Sequence, residues 1–457
     1  MISFPPRSWN RLSRRSIGRM LLIIVAMCAY AAGTVALGLH DILYAVAGVY
    51  VPVYLYAAWK WPQIALLLIF AAAPIQNEIS GGEGPKISAA EVNFILALPI
   101  FFLQLLARRK LPAFGPLLLP ALLYLSVCLY STLNDIGDRS ALLAFGQMLI
   151  YMTILVGVFS SFVTDPKKLM IALYGLVCVG AVLGSVALVV RTEYMLGLHK
   201  NALGGSQACA LIVAVELWLA AADPRRKRLL SLAVIVIGGG LLISLSRGGW
   251  LGAAAGLSVI FLLRRDFRLL LRLGLLMIPV IAVLWVSLPQ ESREYATSFS
   301  AQHGNIQARL DDYALARHYF EGSPIFGIGI QFRKQSDATN IVLFTLAETG
   351  IVGLITFSLL YATFFKAVWQ MHKKVLPGDP LFSLYAVGSA LLVARLAHGM
   401  VDHYWGRGPT FMAWSAFGMF VAVSAAVQQR ESVERIGRYA LSKESIPENE
   451  KPNLAGT

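Results

Sequence analysis

Four short stretches hold the residues whose types and spacing could do chemistry. In SLSRGGWLG, Ser244 to Gly252, Arg247 stands between apolar runs beside Gly248 and Gly249. A guanidinium at the edge of so apolar a segment is costly unless it reaches water, pairs or lines a polar site. The two glycines leave room for a second backbone or a large ligand, and Ser244 and Ser246 add hydrogen-bonding hydroxyls. A helix beginning near Gly249 would direct its free amides at the same point, a favourable place for a diphosphate. The second stretch, Ala308 to Phe332, predicts a helix up to Gly322 on which Leu310, Tyr313, Ala314, Arg317 and Phe320 recur at helical spacing. It also carries Arg309, Asp311, Asp312 and His318, and it ends in the glycine-rich turn SPIFGIG. In the third, Asp337 to Leu354, Thr339 and Asn340 have N-cap chemistry, and Glu348 lies about two turns into an apolar run, where a carboxylate is a functional candidate. The fourth, Arg395 to Pro409, sets Arg395, His398 and Asp402 at spacings of three and four, one helix face. His403 and Tyr404 extend this cluster, and a histidine there can accept a proton near neutral pH.

The catalytic candidates are therefore Glu348, His398 and Asp402. Arg247, Gly248, Gly249, Arg309, Arg317, Thr339 and Asn340 are the candidates for binding substrate, joined by Arg191 from another loop. Asp311 and Asp312 are adjacent carboxylates with no third ligand at a telling spacing, so neither a metal nor another cofactor is expected.

The elements that must position these residues are membrane helices. Of 457 residues, 57% are hydrophobic and 14% charged, and the mean hydropathy is +0.66. Apolar runs of about twenty residues fit helices rather than the shorter strands of a barrel. About fourteen spans are predicted, near 20 to 38, 42 to 58, 62 to 75, 91 to 107, 116 to 132, 141 to 163, 169 to 190, 206 to 222, 229 to 246, 249 to 263, 270 to 288, 339 to 366, 380 to 400 and 411 to 428, with twelve or thirteen as alternatives. The first is read as an uncleaved span behind a basic segment. The four cysteines all lie within apolar runs and report nothing on redox compartment.

With the N-terminus placed in the cytoplasm, 27 of the 39 lysines and arginines fall on the inner side, 11 on the outer side, and Arg395 within a span. This asymmetry orients the chain. It puts both termini inside, and it puts Arg247 and the long 289 to 338 loop outside. The net charge of +14 belongs to these loops, where it sets topology and meets anionic lipid, so no nucleic-acid partner is expected. Residues 1 to 200 are read as N-terminal helices, 201 to 428 as the membrane domain with the chemistry, and 429 to 457 as a polar, partly disordered cytoplasmic tail.

In order and spacing, SRGGWLG, the Arg309 to Gly329 segment and TN…LAETGIVGL resemble the signature region of the O-antigen ligase and polymerase superfamily, over roughly 200 to 420. These are bacterial membrane glycosyltransferases acting on polyprenyl-diphosphate-linked glycans. The resemblance implies an all-α, GT-C-like polytopic membrane fold in the inner membrane. It also implies a metal-independent, inverting transfer from an undecaprenyl-diphosphate-linked donor on the periplasmic face. The acceptor would be lipid A core for a ligase, or a lipid-linked glycan for a polymerase of lipopolysaccharide or exopolysaccharide. By position, Arg247 and Arg309 would hold the donor diphosphate. Family members commonly have His-Asn where this chain has Thr339 and Asn340, and a threonine is no base at neutral pH. Either Glu348, His398, Asp402 or His318 does the proton work, or the chain is a polymerase with another acceptor geometry, or it is inactive. A transporter of lipid-linked sugars is the competing class. It predicts internal repeats and broken helices in matching halves, whereas the polar residues here gather in the second half.

Overall fold

A computed structural model describes residues 42–75, 88–109, 111–133, 139–162, 165–190, 194–195, 198–287, 290, 293, 304–330, 339–405 and 407–444. The predicted span at 20 to 38, Arg191 and the end of the tail lie outside the described residues. The chain divides into two units, residues 1–61 and 62–457. In the first, helix α1, Ile42–Lys60, carries Pro52 in its interior.

The second unit is a helical bundle. In chain order its helices are α2 Pro62–Ala72, α3 Ala89–Arg108, α4 Leu118–Leu133, α5 Arg139–Leu149, α6 Val156–Ser161, α7 Met170–Val190, α8 Lys200–Ala220, α9 Pro224–Ile243, α10 Arg247–Arg264, α11 Phe267–Ser287, α12 Gly304–Gly322, α13 Ile341–His372, α14 Phe382–Gly399 and α15 Arg407–Glu444. A π-helical turn, Ile150–Leu155, joins α5 to α6. Between α7 and α8 lies a two-residue antiparallel pairing of Tyr194 with His199 and Met195 with Leu198.

Eight described helices are long and apolar enough to cross a membrane. The fold is thus that of an all-α polytopic membrane protein, as the apolar runs predict. Helices α9, α10 and α11 also fall on predicted spans. Outward-facing positions carry large apolar side chains such as Leu106, Val189 and Leu229, the surface a lipid solvent calls for. Helices α8, α14 and α15 are innermost, each with more than three quarters of its apolar window buried. Local signals start and stop the helices. Ser88 and Glu91 form a capping box on α3, and Asp223 caps α9 ahead of Pro224. Arg265 ends α10 in the left-handed region at φ 57°.

Two elements differ from the sequence reading. Helix α15 continues past residue 428, where a partly disordered tail was expected, as far as Glu444. The first turn of the extension is tied down by Lys374 to Glu431 and Arg430 to Asp379, both at 3.0 Å. Helix α12 forms as predicted, but only part of the predicted face turns inward. Ala316 is buried and Arg309, Tyr313 and Phe320 are half-buried, whereas Leu310, Ala314 and Arg317 are exposed. The helix lies against α13, and the small Ala316 sets that contact rather than the larger Leu310.

Candidate functional site

The stretch around Arg247 is a tight corner between two helices. Ser244 Oγ donates to the Leu241 carbonyl at 2.6 Å, Leu245 takes φ 51°, and Ser246 caps α10 by accepting from the Gly249 amide at 3.1 Å. Trp250 Nε1 reaches back to the Leu241 carbonyl at 3.0 Å. Arg247 is then the first residue of α10 and is half-buried. The glycines beside it are filled by protein. A Cβ on Gly248 would stand 2.6 Å from His398 Cδ2, and one on Gly249 would stand 2.7 Å from the Gly204 carbonyl carbon of α8. Gly252 and Gly256 continue the series, meeting Ala394 of α14 at 3.1 Å each. Gly248, Gly252 and Gly256 thus form a four-residue repeat that lets α10 and α14 approach closely, the usual means of helix contact in lipid.

That approach delivers Gly248 to the turn after α14, where the other candidates meet. Arg309 Nη1 of α12 donates to the Val401 carbonyl at 2.7 Å, and Asn340 Nδ2 donates to the Met400 carbonyl at 3.1 Å. Asn340 also caps α13, its Oδ1 accepting from the amides of Val342 and Leu343 at 3.0 and 3.2 Å. Two helix N-termini, of α10 and α13, and the guanidinium of Arg309 therefore converge on residues 398–402. The other N–H groups of Arg309 have no acceptor among the described residues. Each helix end carries a partial positive charge, although its cap already takes the amides of Gly249, or of Val342 and Leu343, so this end of the bundle can receive an anion.

Arg395 builds the turn itself. Only 2% exposed, it donates through Nε to the Tyr404 carbonyl at 2.7 Å and to Thr410 Oγ1 at 3.1 Å. Its Nη2 donates to the carbonyls of His403 and Tyr404. Its Nη1 lies 3.1 Å from His398 Nδ1. Since a guanidinium only donates, Nδ1 accepts and a neutral His398 carries its proton on Nε2. That nitrogen points toward Asp402 Oδ2 at 3.6 Å, beyond hydrogen-bond range. Asp402 is buried, and its Oδ1 accepts from the His403 amide at 2.8 Å. Burial opposes its ionisation, but the imidazoles of His398 and His403 and that amide outweigh it and hold the carboxyl down to about 2.

The remaining candidates separate. Thr339 is buried beside the Asn340 cap, and its Oγ1 has no hydrogen-bond partner among the described residues. Glu348 is buried at a break in α13, where Gly350 takes φ 63° and ψ −163°. The SPIFGIG turn fills the break. The amides of Ile328 and Gly329 donate to the carbonyls of Ala347 and Glu348 at 3.0 and 2.9 Å, and the Ile351 amide donates to the Pro324 carbonyl at 2.9 Å. Ser131 Oγ of α4 bonds the carbonyls of Phe326 and Glu348, both at 2.7 Å. Arg317 lies on the exposed face of α12, paired with Glu321 at 2.7 Å. The sequence reading grouped Arg395 with His398 and Asp402 but gave it no role, and it missed the glycine repeat, although GGWLGAAAG displays its spacing.

Residues 232–358 match the family model described as O-antigen ligase. This segment belongs to the O-antigen ligase superfamily. None of the curated proteins matches the chain. The O-antigen ligase segment contains Arg247, Arg309, Thr339, Asn340, Glu348 and the interlocked turn, while Arg395, His398 and Asp402 lie beyond its end. The family is of the glycosyltransferase type and works on lipid-linked glycans at a membrane. The O-antigen ligase domain here accordingly sits in a multi-pass, helical membrane protein.

Proposed function

We propose that the chain transfers a glycan from undecaprenyl diphosphate to a sugar hydroxyl at the periplasmic face of the inner membrane, without a metal, in surface-polysaccharide assembly. The observation that carries this reading is the convergence of Arg309 and the N-termini of α10 and α13 on a turn that holds an ionised carboxylate. Leaving diphosphate is an anion, and preorganised positive charge aimed at it is the largest expected contribution to such a transfer. Arg309 and Arg247 supply forked donors suited to phosphate oxygens, and the helix ends add their partial positive charge.

Asp402 is the proton acceptor in this reading. The acceptor hydroxyl oxygen attacks the anomeric carbon, its proton passes to the Asp402 carboxylate, and the bond from that carbon to the diphosphate breaks with inversion. His398 acts as a positioning residue: Arg395 occupies its Nδ1, so its Nε2 proton faces Asp402 rather than taking a proton from substrate. Glu348 then serves the break in α13, and Thr339, whose buried hydroxyl has no hydrogen-bond partner among the described residues, is assigned to the acceptor side by its place beside Asn340. Arg317, exposed on α12 and paired with Glu321, has no part in the clamp.

Surface polysaccharide from a deletion strain carrying plasmid-borne variants tests the reading. Wild type should restore it, and Arg309→Ala and Asp402→Asn should not, although both reach the membrane. Lipid-linked polymer that never joins lipid A marks a ligase, and single repeats in place of a ladder mark a polymerase. Normal polysaccharide in both variants would sink the assignment.

A further inference from the structure

We propose a second ligand site, at the end of the bundle remote from the 398–402 turn, that binds the phosphodiester headgroup of an anionic phospholipid. A cavity of about 440 Å³ opens there, lined in part by Tyr174, Arg226, Arg264, Asp379 and Phe382. Helices α8, α10 and α14 each run from one site to the other: Gly205, Gly248 and His398 stand at the turn, and Leu217, Arg264 and Phe382 at the cavity. Eighteen to twenty-one helical residues span about 27–32 Å, the thickness of the hydrocarbon layer. The cavity therefore lies at the opposite membrane face, the one where the loop cations collect.

Its arginines are held in readiness for an oxyanion. The buried carboxylate of Glu216 grips Arg264 from one side, accepting from Nε at 2.8 Å and Nη2 at 2.5 Å, and it also accepts from Ser383 Oγ at 2.8 Å. Phe382 lies under the same guanidinium, 5.0 Å from ring centre to Cζ. The orientation of Arg264 is thus fixed, while both N–H groups of Nη1 have no acceptor among the described residues. Arg226 stands over the Tyr174 ring at 5.9 Å and has no carboxylate partner among the described residues. The one carboxylate in the lining, Asp379, is already answered: Oδ2 accepts from Arg430 at 3.0 Å and Oδ1 from the Leu381 amide at 2.9 Å.

Two arginines with vacant donors, of which only Arg264 has a carboxylate partner among the described residues, select a phosphate oxygen over a neutral headgroup. Free phosphate would satisfy the donors but has no use for an apolar wall. Met170, Leu217 and Phe382 supply such a wall, where a glycerol backbone and the first methylenes of a lipid would sit. Basic pockets between membrane helices on the cytoplasmic side are where anionic headgroups bind.

Native mass spectrometry of the full chain in neutral detergent tests this, with phosphatidylglycerol, phosphatidylcholine and inorganic phosphate added separately. Wild type should retain one phosphatidylglycerol in preference to phosphatidylcholine. Arg226→Ala should weaken that retention about tenfold, the scale of one lost charged hydrogen bond, and Arg225→Ala, one residue away and outside the lining, should leave it within about twofold. Arg264→Lys keeps the charge and the pairing with Glu216 but loses the fork, and should also weaken retention. Equal retention of the two lipids, equal behaviour of the Arg226 and Arg225 variants, or full displacement of phosphatidylglycerol by millimolar inorganic phosphate would overturn the proposal.

Discussion

Replacing Gly249 with alanine tests whether the glycines beside Arg247 serve helix contact or ligand access. A Cβ there would lie 2.7 Å from the Gly204 carbonyl carbon, 2.8 Å from its oxygen and 3.1 Å from its Cα. Ordinary contact begins at 3.4 Å, so the backbones of α8 and α10 must part by about 0.7 Å. No rotamer change can relieve the overlap, because the obstructing atoms are main chain. Overpacking of this kind costs about 1–3 kcal/mol. Alanine also gains up to roughly 1 kcal/mol of helix propensity over glycine, and Gly274→Ala controls for that gain, since nothing lies within 4 Å of its added Cβ. The difference between the two variants isolates the packing cost. Thermal unfolding in detergent, in a Cys178→Ser background because that thiol is already exposed, and followed by a thiol-reactive dye that reaches buried Cys128 and Cys209 on unfolding, should place Gly249→Ala below Gly274→Ala by roughly 1 °C per kcal/mol, the scale for a chain of this length. Glycan transfer should fall with it, because the Ser246 cap and Arg247 ride on the displaced turn. Equal midpoints, with full transfer in Gly249→Ala, would refute the packing argument and return these glycines to the ligand.

Arg309→Ala should lower the transfer rate by about 10²–10³, the loss expected for one donor aimed at a leaving group. Arg317→Ala, exposed and paired only with Glu321, should change rate and stability little; similar losses in both would mean that α12 acts through its charge alone. Asp402 stays ionised down to about 2. With a folded value below the unfolded one, its contribution to stability is complete above roughly pH 4 and disappears as pH falls through the folded value. The transfer rate should therefore be level between roughly pH 5 and 8, and an acid limb near 6.5 would move the proton acceptor to a histidine. Thr339→Val removes a buried hydroxyl that lacks a partner, so stability should hold or rise by about 1 kcal/mol while transfer falls. Unchanged transfer at every substitution there would remove Thr339 from the acceptor site.

The span helices were legible because run length and caps are local properties: Asn340 marks a start that the structure keeps, and α10 begins within a few residues of the predicted Gly249. The grouping of Arg247, Arg309, Asn340, His398 and Asp402 at one end followed from loop charge and helical spacing. What could not be read was tertiary. Which part of α12 packs most deeply depends on the fit of Ala316 against α13, and the predicted face is kept only at Tyr313 and Phe320, while Leu310, Ala314 and Arg317 are exposed. The place of Glu348 depends on the break at Gly350, which exists because residues 324–329, twenty or more positions upstream, pair with it. Arg395 looked like a charge in need of relief. Its relief is main-chain carbonyls, which no composition or spacing displays.

The interlock between the SPIFGIG turn and the broken helix also bears on how such chains diverge. Its bonds run through main-chain amides and carbonyls, so most side chains in it can drift without loosening it. Gly327 and Gly350 cannot: both lie at positive φ, and a Cβ on either would stand 2.3 Å from the other segment's backbone. The stretch between α11 and α12 can then lengthen, shorten or change its chemistry to suit a new glycan, while Arg309, Asn340 and the helix end that Asn340 caps stay in register with the 398–402 turn. Among relatives that handle different sugars, these two glycines should persist while the loop ahead of them turns over.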